Sequence, residues 1–110
     1  MINKRDKMTT KDQVNKAFAA LRKAGYVAKQ NWADCQSCGW AAIEERYPGS
    51  EKVVFYHLQD ADAWDKKTKE LTSPLYLAWA GDGNEIVKVL EKFVVVGWDG
   101  SEEHRIKIMN

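Results

Sequence analysis

Cysteine and proline are scarce in this sequence, with two of each among 110 residues. Two cysteines are too few for the multiple disulfides that hold small secreted domains together. Long apolar runs are also missing: the uncharged run near the C-terminus, residues 93–98, has six residues, far below the roughly 20 that cross a bilayer. Residues 1–7 include no apolar stretch of signal-peptide length. We therefore expect a cytoplasmic protein with no membrane span.

A strong charge of one sign is absent from the chain as a whole, whose formal net charge is +1. The distribution is uneven, because residues 1–30 hold eight Lys or Arg against two Asp, and residues 31–110 hold nine against fourteen acids. The basic residues predicted on the outer side of the first helix include Lys11, Lys16, Arg22 and Lys23. They are a candidate nucleic-acid surface, although a solvated helix face is the commoner reason for such charge. No nucleic-acid motif accompanies them, so we expect weak, non-specific binding at most.

The composition is that of an ordinary globular protein, with 45% hydrophobic and 30% charged residues. Five tryptophans, four tyrosines and three phenylalanines supply large apolar groups for a core. A chain of this length buries about two thirds of the surface that it exposes when unfolded. We predict a flexible N-terminal tail, residues 1–8, followed by a single domain over residues 9–110.

Hydrophobic spacing and turn residues predict eight elements in the order ααβαβαββ. The predicted helices cover residues 9–25, 34–47, 61–71 and 85–92, and the predicted strands cover residues 52–58, 75–80, 93–98 and 104–108. Helical connections permit parallel neighbours among the first three strands, whereas a short loop makes the last two antiparallel. The last strand alternates apolar and charged residues, which is typical of an edge strand. These features indicate an α+β fold with a three-to-four-stranded mixed sheet packed by helices.

The only local arrangement that suggests chemistry is the pair Cys35 and Cys38, near the start of the second predicted helix. Two thiolates at this spacing bind zinc when two more ligands complete a tetrahedron, and the available histidines are His57 and His104. Alternatively, a thiolate near a helix N-terminus can attack a disulfide. The thioredoxin context has a strand before the pair, whereas the preceding element predicted here is a helix. We therefore favour two free cysteines buried in the core as small hydrophobes over zinc or redox chemistry.

Four segments of the sequence, the cysteine pair among them, carry a resemblance to a known family. They read Cys-Gln-Ser-Cys at 35–38, Phe-Tyr-His-Leu-Gln-Asp at 55–60, Leu-Tyr-Leu-Ala at 75–78 and Trp-Asp-Gly-Ser at 98–101, with Arg-Ile following at 105–106. Over residues 11–108 the chain resembles a family of small bacterial proteins of unknown function. The resemblance implies a shared fold and assigns no catalytic role. If these segments cluster in space, the candidate pocket consists of His57, Gln59, Asp60, Trp98 and Asp99.

No complete catalytic constellation accompanies the apolar residues. We therefore interpret the chain as a non-enzymatic binding or protein-interaction module without a cofactor, whose partner is a protein. A second copy of the chain is one such partner, because Trp-rich helices and an exposed strand can pair between chains. The alternatives are a metal-binding or thiol-redox protein that uses Cys35 and Cys38, and a nucleic-acid-associated protein that uses the basic N-terminal helix.

Overall fold

The computed structural model describes residues 9–110, which form helices and a five-stranded sheet. In chain order the elements are α1 (Lys11–Lys23), β1 (Val27–Lys29), α2 (Gln36–Arg46), β2 (Val53–Phe55), a 3-10 helix (Asp60–Ala63), β3 (Leu75–Ala80), α3 (Gly83–Leu90), β4 (Val96–Gly97) and β5 (Ile106–Ile108). The predicted tail, residues 1–8, lies outside the described residues. Within residues 9–110, none of the helices combines the length and the apolar character needed to cross a bilayer.

The strands form one sheet in the order β1-β2-β3-β5-β4. β1 and β2 are parallel, and the other neighbouring pairs are antiparallel. This confirms the predicted α+β class and the mixed sheet. The prediction of three to four strands was one short, because β1 has only three residues. A strand of that length gives too little alternation to be distinguished from a loop in the sequence.

The polar segment after β2 does not form the third α-helix that the sequence predicted. Only Asp60–Ala63 are helical, and they form a single 3-10 helix. The Asp65 side chain then accepts hydrogen bonds from the backbone N–H groups of Lys67 and Thr68 at 2.8 and 3.0 Å. Because such a local side-chain bond competes with the helical backbone bonds, the segment turns instead of continuing as a helix.

The last strand, β5, is not the predicted edge strand, because it lies between β3 and β4. Its alternation is as predicted, with Ile106 and Ile108 buried and Lys107 half-buried between them. The edges of the sheet are β1 and β4, which have three and two residues. Such short edges offer little unpaired backbone to a strand of another chain.

Helices cover both faces of the sheet, and each face has its own core. α1 and α3 pack on one face, and the residues of α1 buried there are Val14, Ala17, Phe18 and Leu21. α2 packs on the other face, where Ile43 joins Val53, Phe55 and Ala78. β2 is buried on both faces, as its continuous apolar run predicts for an interior strand.

The start of α1 is fixed by the capping residue that the sequence indicated. The Thr10 side chain accepts a hydrogen bond from the Gln13 backbone N–H at 3.3 Å. The Gln13 side chain in turn accepts one from the Thr10 backbone N–H at 2.8 Å. This reciprocal capping box satisfies two backbone donors that a helix N-terminus otherwise leaves free, and it sets the position of Lys11 at the first turn of α1.

Candidate functional site

The Cys-x-x-Cys pair lies at the N-terminus of α2, with Cys35 at the N-cap position and Cys38 in the first turn. Their Sγ atoms are 2.9 Å apart, and both cysteines are free. The Cys35 Sγ also accepts a hydrogen bond from the Cys38 backbone N–H at 3.4 Å and lies 3.4 Å from the Ser37 Oγ. Three polar groups therefore surround the Cys35 sulfur: a thiol and a hydroxyl, each able to donate or accept, and a backbone N–H that donates.

These contacts separate the acidities of the two thiols. The hydrogen bond with the Cys38 side chain, followed by that with the Ser37 hydroxyl, lowers the pKa of Cys35 from 9.0 to about 7. The same bond between the sulfurs, followed by the Cys35 charge, raises the pKa of Cys38. A proton shared between adjacent sulfurs stabilises one thiolate and keeps the other thiol protonated. Cys35 is therefore the more reactive sulfur at neutral pH, since the thiolate is the nucleophile.

The prediction that both cysteines are buried in the core was wrong, because Cys35 is half-buried and Cys38 is exposed. Gly39 and Ile43, one helical turn apart, are the buried residues of α2. A Cβ at Gly39 would overlap the Phe55 ring, so only glycine allows the helix to approach the sheet this closely. The glycine directly after the second cysteine was the signal in the sequence that could have indicated this orientation.

A strand precedes the cysteine pair, contrary to the helix that the sequence predicted there. β1 ends at Lys29, and the loop of residues 30–34 leads directly to Cys35. Because β1 and β2 are parallel, α2 is the crossover between them, and its N-terminus lies at the carboxyl ends of both strands. A Cys-x-x-Cys pair in a βαβ unit is the arrangement of thioredoxin-like redox motifs. The sequence-based objection to redox chemistry is thereby removed.

The loop before the pair has an uncommon backbone conformation. Asn31 and Ala33 have φ angles of 53° and 65°. This left-handed region is common for asparagine among residues other than glycine, and it is unfavourable for alanine because of its Cβ. Strain of this kind persists only where the surrounding contacts impose it, and it is frequent at functional sites.

Three hydrogen bonds hold this loop in place. The Trp32 backbone N–H donates to the Tyr56 carbonyl at 2.9 Å, and the Leu58 backbone N–H donates to the Ala33 carbonyl at 3.0 Å. The Trp32 indole N–H donates to the Gly39 carbonyl at 3.1 Å. The loop is thus attached both to the segment that follows β2 and to the first turn of α2, so the position of the thiols is fixed on two sides.

His57 belongs to a buried ion network. Its Nε2 lies 3.1 Å from the Asp60 Oδ2, and the two side chains are 8% and 10% exposed. Its Nδ1 accepts a hydrogen bond from the Asp60 backbone N–H at 3.3 Å, which leaves the ring proton on Nε2. Arg105 donates to both carboxylate oxygens of Asp60, at 3.1 and 3.3 Å. Both ring nitrogens of His57 are therefore engaged in a structural role.

Trp98 and Asp99 line a surface cavity of about 600 Å³ beside β3, β4 and β5. Arg105 lines the same cavity, and its guanidinium lies 5.0 Å from the centre of the Tyr76 ring. Arg105 therefore connects this cavity with the buried Asp60 carboxylate, to which it donates hydrogen bonds.

The five residues of the candidate pocket consequently fall into separate places. Trp98 and Asp99 line the cavity, and Asp60 is joined to it through the bonds from Arg105. His57 is buried, and Gln59 is exposed. Of the five residues that the resemblance groups, Trp98 and Asp99 share a cavity, and His57 and Asp60 share the ion network.

The cysteines and histidines do not form a metal site in the described part of the chain. The His104 Nδ1 forms a short hydrogen bond with the Asp99 Oδ2 on the connection between β4 and β5. The Ser101 backbone N–H, followed by His104, lowers the pKa of Asp99. Among residues 9–110, no group of three or more His, Cys, Asp and Glu side chains is placed to hold a metal ion. The candidate zinc set Cys35, Cys38, His57 and His104 is thus not assembled there.

The basic residues of α1 are spread over different surroundings. Lys16 and Asp12, both exposed, form an ion pair at 3.3 Å. Arg22 and Lys23 lie in the last turn of α1, where cations interact favourably with the helix dipole. Lys11 is half-buried and lines a cleft beside α1. Nucleic-acid binding by this helix stays a prediction.

Comparisons with known proteins bear on the family of the chain. A comparison with curated proteins and one with solved structures each gave no match. A family model does match, and it covers residues 3–110, nearly the whole chain. The chain therefore belongs to the family described as a domain of unknown function, DUF6891.

Proposed function

We propose that this protein carries out thiol–disulfide exchange with a protein substrate, with Cys35 as the attacking thiolate and Cys38 as the resolving thiol. One observation carries the proposal: three groups able to donate a hydrogen bond to a Cys35 thiolate surround its Sγ, and one of them is the Cys38 thiol 2.9 Å away. Donors at a sulfur stabilise its thiolate, and a second thiol in contact with it can close a disulfide without rearrangement of the fold.

The acidities of the two thiols suit this division of roles. An attacking thiol is most effective when its pKa lies near the ambient pH, because a lower pKa gives more thiolate and a weaker nucleophile. The pKa of Cys35, about 7, meets that condition. The raised pKa of Cys38 keeps its sulfur protonated until Cys35 has reacted and lost its charge.

Access to the sulfurs also supports the proposal. Cys38 is exposed, Cys35 is half-buried, and the two residues between them, Gln36 and Ser37, are exposed. A disulfide on the surface of another protein can therefore approach the N-terminus of α2. The thiolate that attacks it is aligned with the positive end of the α2 dipole, which adds to its stabilisation.

The reaction proceeds in two exchanges. The Cys35 thiolate attacks one sulfur of a substrate disulfide: a bond forms between these two sulfurs, the substrate S–S bond breaks, and the other substrate sulfur leaves as a thiolate that takes a proton from solvent. The Cys38 thiol then loses its proton and attacks the Cys35 Sγ, which breaks the mixed disulfide. Two electrons have passed to the substrate, whose disulfide becomes two thiols, and the protein holds a Cys35–Cys38 disulfide. A dithiol reductant returns the pair to its initial state.

This proposal replaces the binding-module interpretation, which depended on the lack of a complete catalytic constellation and on a pair of thiols buried in the core. The expectation of a protein partner is retained, because the proposed substrate disulfide belongs to a protein. A cytoplasmic location, which stays a prediction, suits the proposal, since that compartment keeps thiols reduced between catalytic cycles.

Oxidised glutathione is a suitable probe disulfide. The reduced wild-type protein and the variants Cys35→Ser and Cys38→Ser are mixed with it at pH 7, quenched with acid and examined by intact-mass spectrometry. We expect the wild type to end as an internal disulfide without a glutathione adduct, and Cys38→Ser to keep an adduct on Cys35. In Cys35→Ser the adduct should form on Cys38 and several-fold more slowly, because a thiol without a lowered pKa is mostly protonated at this pH.

Two outcomes would count against the proposal. Equal rates of adduct formation in Cys35→Ser and Cys38→Ser would show that Cys35 is no more reactive than Cys38. A wild-type protein that accumulates a stable glutathione adduct would show that Cys38 does not resolve it. The double variant, with both cysteines replaced by serine, is the control for reaction elsewhere, because the chain has only these two cysteines.

A further inference from the structure

A cleft of about 700 Å³ lies beside the first turn of α1, on a part of the molecule that the thiol proposal does not use. Three lysines contribute to its lining, together with an indole ring and an asparagine of the loop before the cysteines: Lys11, Lys66, Lys69, Trp64 and Asn31. We call it the lysine cleft. Its walls come from three separate stretches of chain, so tertiary packing alone creates it.

Lys11, which lines the cleft, lies close to two aromatic rings. Its Nζ donates a hydrogen bond to the Tyr56 hydroxyl at 3.3 Å, and that hydroxyl donates in turn to the Gln30 Oε1 at 2.8 Å. The same Nζ lies 5.0 Å from the centre of the Trp64 ring and 5.9 Å from that of Tyr56. A cation in this position is directed by cation–π attraction and by one hydrogen bond, which leaves other ammonium protons for a ligand.

Lysines outnumber carboxylates among the described residues that line the cleft, by three to two. Within residues 9–110, Lys11, Lys66 and Lys69 take part in none of the ion pairs with a carboxylate. The two aspartates at the cleft are engaged elsewhere: Asp12 pairs with Lys16, and Asp65 accepts backbone hydrogen bonds in its own turn. Burial, followed by the charge of Lys69, lowers the pKa of Lys11. The two cations thus repel each other across the cleft, and an anion placed between them would relieve this repulsion.

The backbone holds Lys69 at this position under strain. Its φ angle is 61°, in the left-handed region that a lysine seldom adopts. Its carbonyl accepts a hydrogen bond from the Lys11 backbone N–H at 2.8 Å, and its own N–H donates to the Asp65 carbonyl at 3.0 Å. The two lysines are therefore tied together through the backbone, and a glycine or asparagine would meet the same backbone requirement at lower energy.

We infer that the lysine cleft binds a small organic anion that carries a planar apolar group, with its carboxylate or phosphate between Lys11 and Lys69 and its planar group against Trp64. Two ammonium groups match the charge and the acceptor oxygens of such an anion. The indole face provides an apolar surface next to them, which distinguishes an aryl or heterocyclic anion from a bare inorganic one. This inference is independent of the chemistry of the thiols.

The test uses phenyl phosphate as the probe, with inorganic phosphate and phenol as its charged and neutral halves. Isothermal titration calorimetry at low salt gives the affinities, and the indole N–H resonance of Trp64 locates the binding. We expect phenyl phosphate to bind more tightly than either half and to shift that resonance. Lys11→Gln should weaken binding about tenfold, because a charged hydrogen bond is lost.

Lys69→Asn is the second variant, because asparagine accepts the left-handed backbone and removes the charge. It should also weaken phenyl phosphate binding while the circular dichroism spectrum stays unchanged. Lys88→Gln, at an exposed lysine on α3, is the matched control and should bind as the wild type does. The inference is overturned if phenyl phosphate does not bind, if Lys11→Gln and Lys69→Asn both bind it unchanged, or if inorganic phosphate binds equally well.

Discussion

Gly39 lies against the ring of Phe55, at a distance that a Cβ atom would not permit. Trp40, the next residue, packs edge-to-face on the same ring, with centroids 5.0 Å apart. These two contacts fix the first turns of α2 against β2, and Cys38 remains exposed beside them. The orientation of the cysteine pair thus depends on a glycine that has no chemical role of its own.

We expect Gly39→Ala to destabilise the protein by about 1–3 kcal/mol, because the added methyl group forces the helix and the Phe55 ring apart. Urea denaturation measures the loss. Phe55→Leu provides the control. It removes the ring that causes the overlap, and it has a destabilising effect of its own. The double variant should be more stable than the sum of the two single effects predicts, because the two sites are in contact. Strict additivity would contradict the packing argument.

The Cys35 thiolate links the stability of the reduced protein to pH. Its pKa in the folded state is about 7, below its ordinary value of 9.0. A depressed pKa contributes stability that is fully present above the ordinary value and is lost as the pH falls through the folded value. The raised pKa of Cys38 acts in the opposite direction, but only above 9.0.

Between pH 7 and 9 we therefore expect the free energy of unfolding of the reduced wild type to rise relative to that of Cys35→Ser. Urea titrations under a reducing agent at several pH values give this difference. Titrating groups outside the cysteine pair are shared by the two proteins and cancel in the comparison, and the raised pKa of Cys38 acts only above this interval. A difference that stays constant over the interval would mean that the Cys35 thiolate is not stabilised by folding.

The Ser37 hydroxyl lies 3.4 Å from the Cys35 sulfur and is able to donate a hydrogen bond to its thiolate. We expect Ser37→Ala to raise the pKa of Cys35 and to slow its alkylation by iodoacetamide at pH 7 by about two- to threefold. At a pH well above 9, where the thiolate is fully formed in both proteins, the rates should converge. Ser50→Ala, in the exposed turn after α2, is the control and should leave the whole pH profile unchanged.

Ala33 has a left-handed backbone that glycine adopts without strain. We expect Ala33→Gly to stabilise the protein by about 0.5–1 kcal/mol, the relief of strain exceeding the entropy that glycine loses on folding. Ala41→Gly, at an exposed position within α2, is the matched control and should destabilise by about 1 kcal/mol. Urea denaturation compares the two, and a loss of stability of equal size in both would refute the strain at Ala33.

The Asp60 carboxylate accepts hydrogen bonds from the His57 backbone N–H and from the Arg105 guanidinium. Its removal leaves two donors without an acceptor, whereas removal of Arg105 leaves the bond from His57 intact. We expect Asp60→Ala to destabilise by about 3 kcal/mol and Arg105→Ala by less. Thermal unfolding of the two variants and of their double variant measures the coupling. If Arg105→Ala is the more damaging change, the network is organised around the guanidinium instead.

Much of the fold is visible in the pattern of the chain. The capping residue Thr10 and the apolar spacing of α1 correctly indicate its start and its buried face. The apolar run that contains β2 indicates an interior strand, and the alternation of Ile106 and Ile108 indicates which side of β5 is buried. These features are readable because local periodicity and burial coincide over the length of each element.

The candidate site was harder to predict, because its properties arise from contacts distant in sequence. Spacing identifies Cys35 and Cys38 as neighbours on a helix, yet it does not say whether their stripe faces the sheet or solvent. The answer depends on the contact between Gly39 and a ring sixteen residues later. The lysine cleft is a similar case, because Lys11 and Lys69 are separated by most of the chain.

The amino-acid sequence by itself determined the class of this protein: an α+β domain with a mixed sheet, one pair of thiols at helix spacing and a basic first helix, since each of these follows from residue types and their local periodicity. Tertiary structure alone decided the fifth strand, the interior place of β5, the exposure of the thiols and the convergence of lysines beside an indole. The physical reason is that strand order, helix rotation and charge proximity are set by packing between segments. That packing depends on contacts between residues far apart in the sequence, which no local pattern reveals.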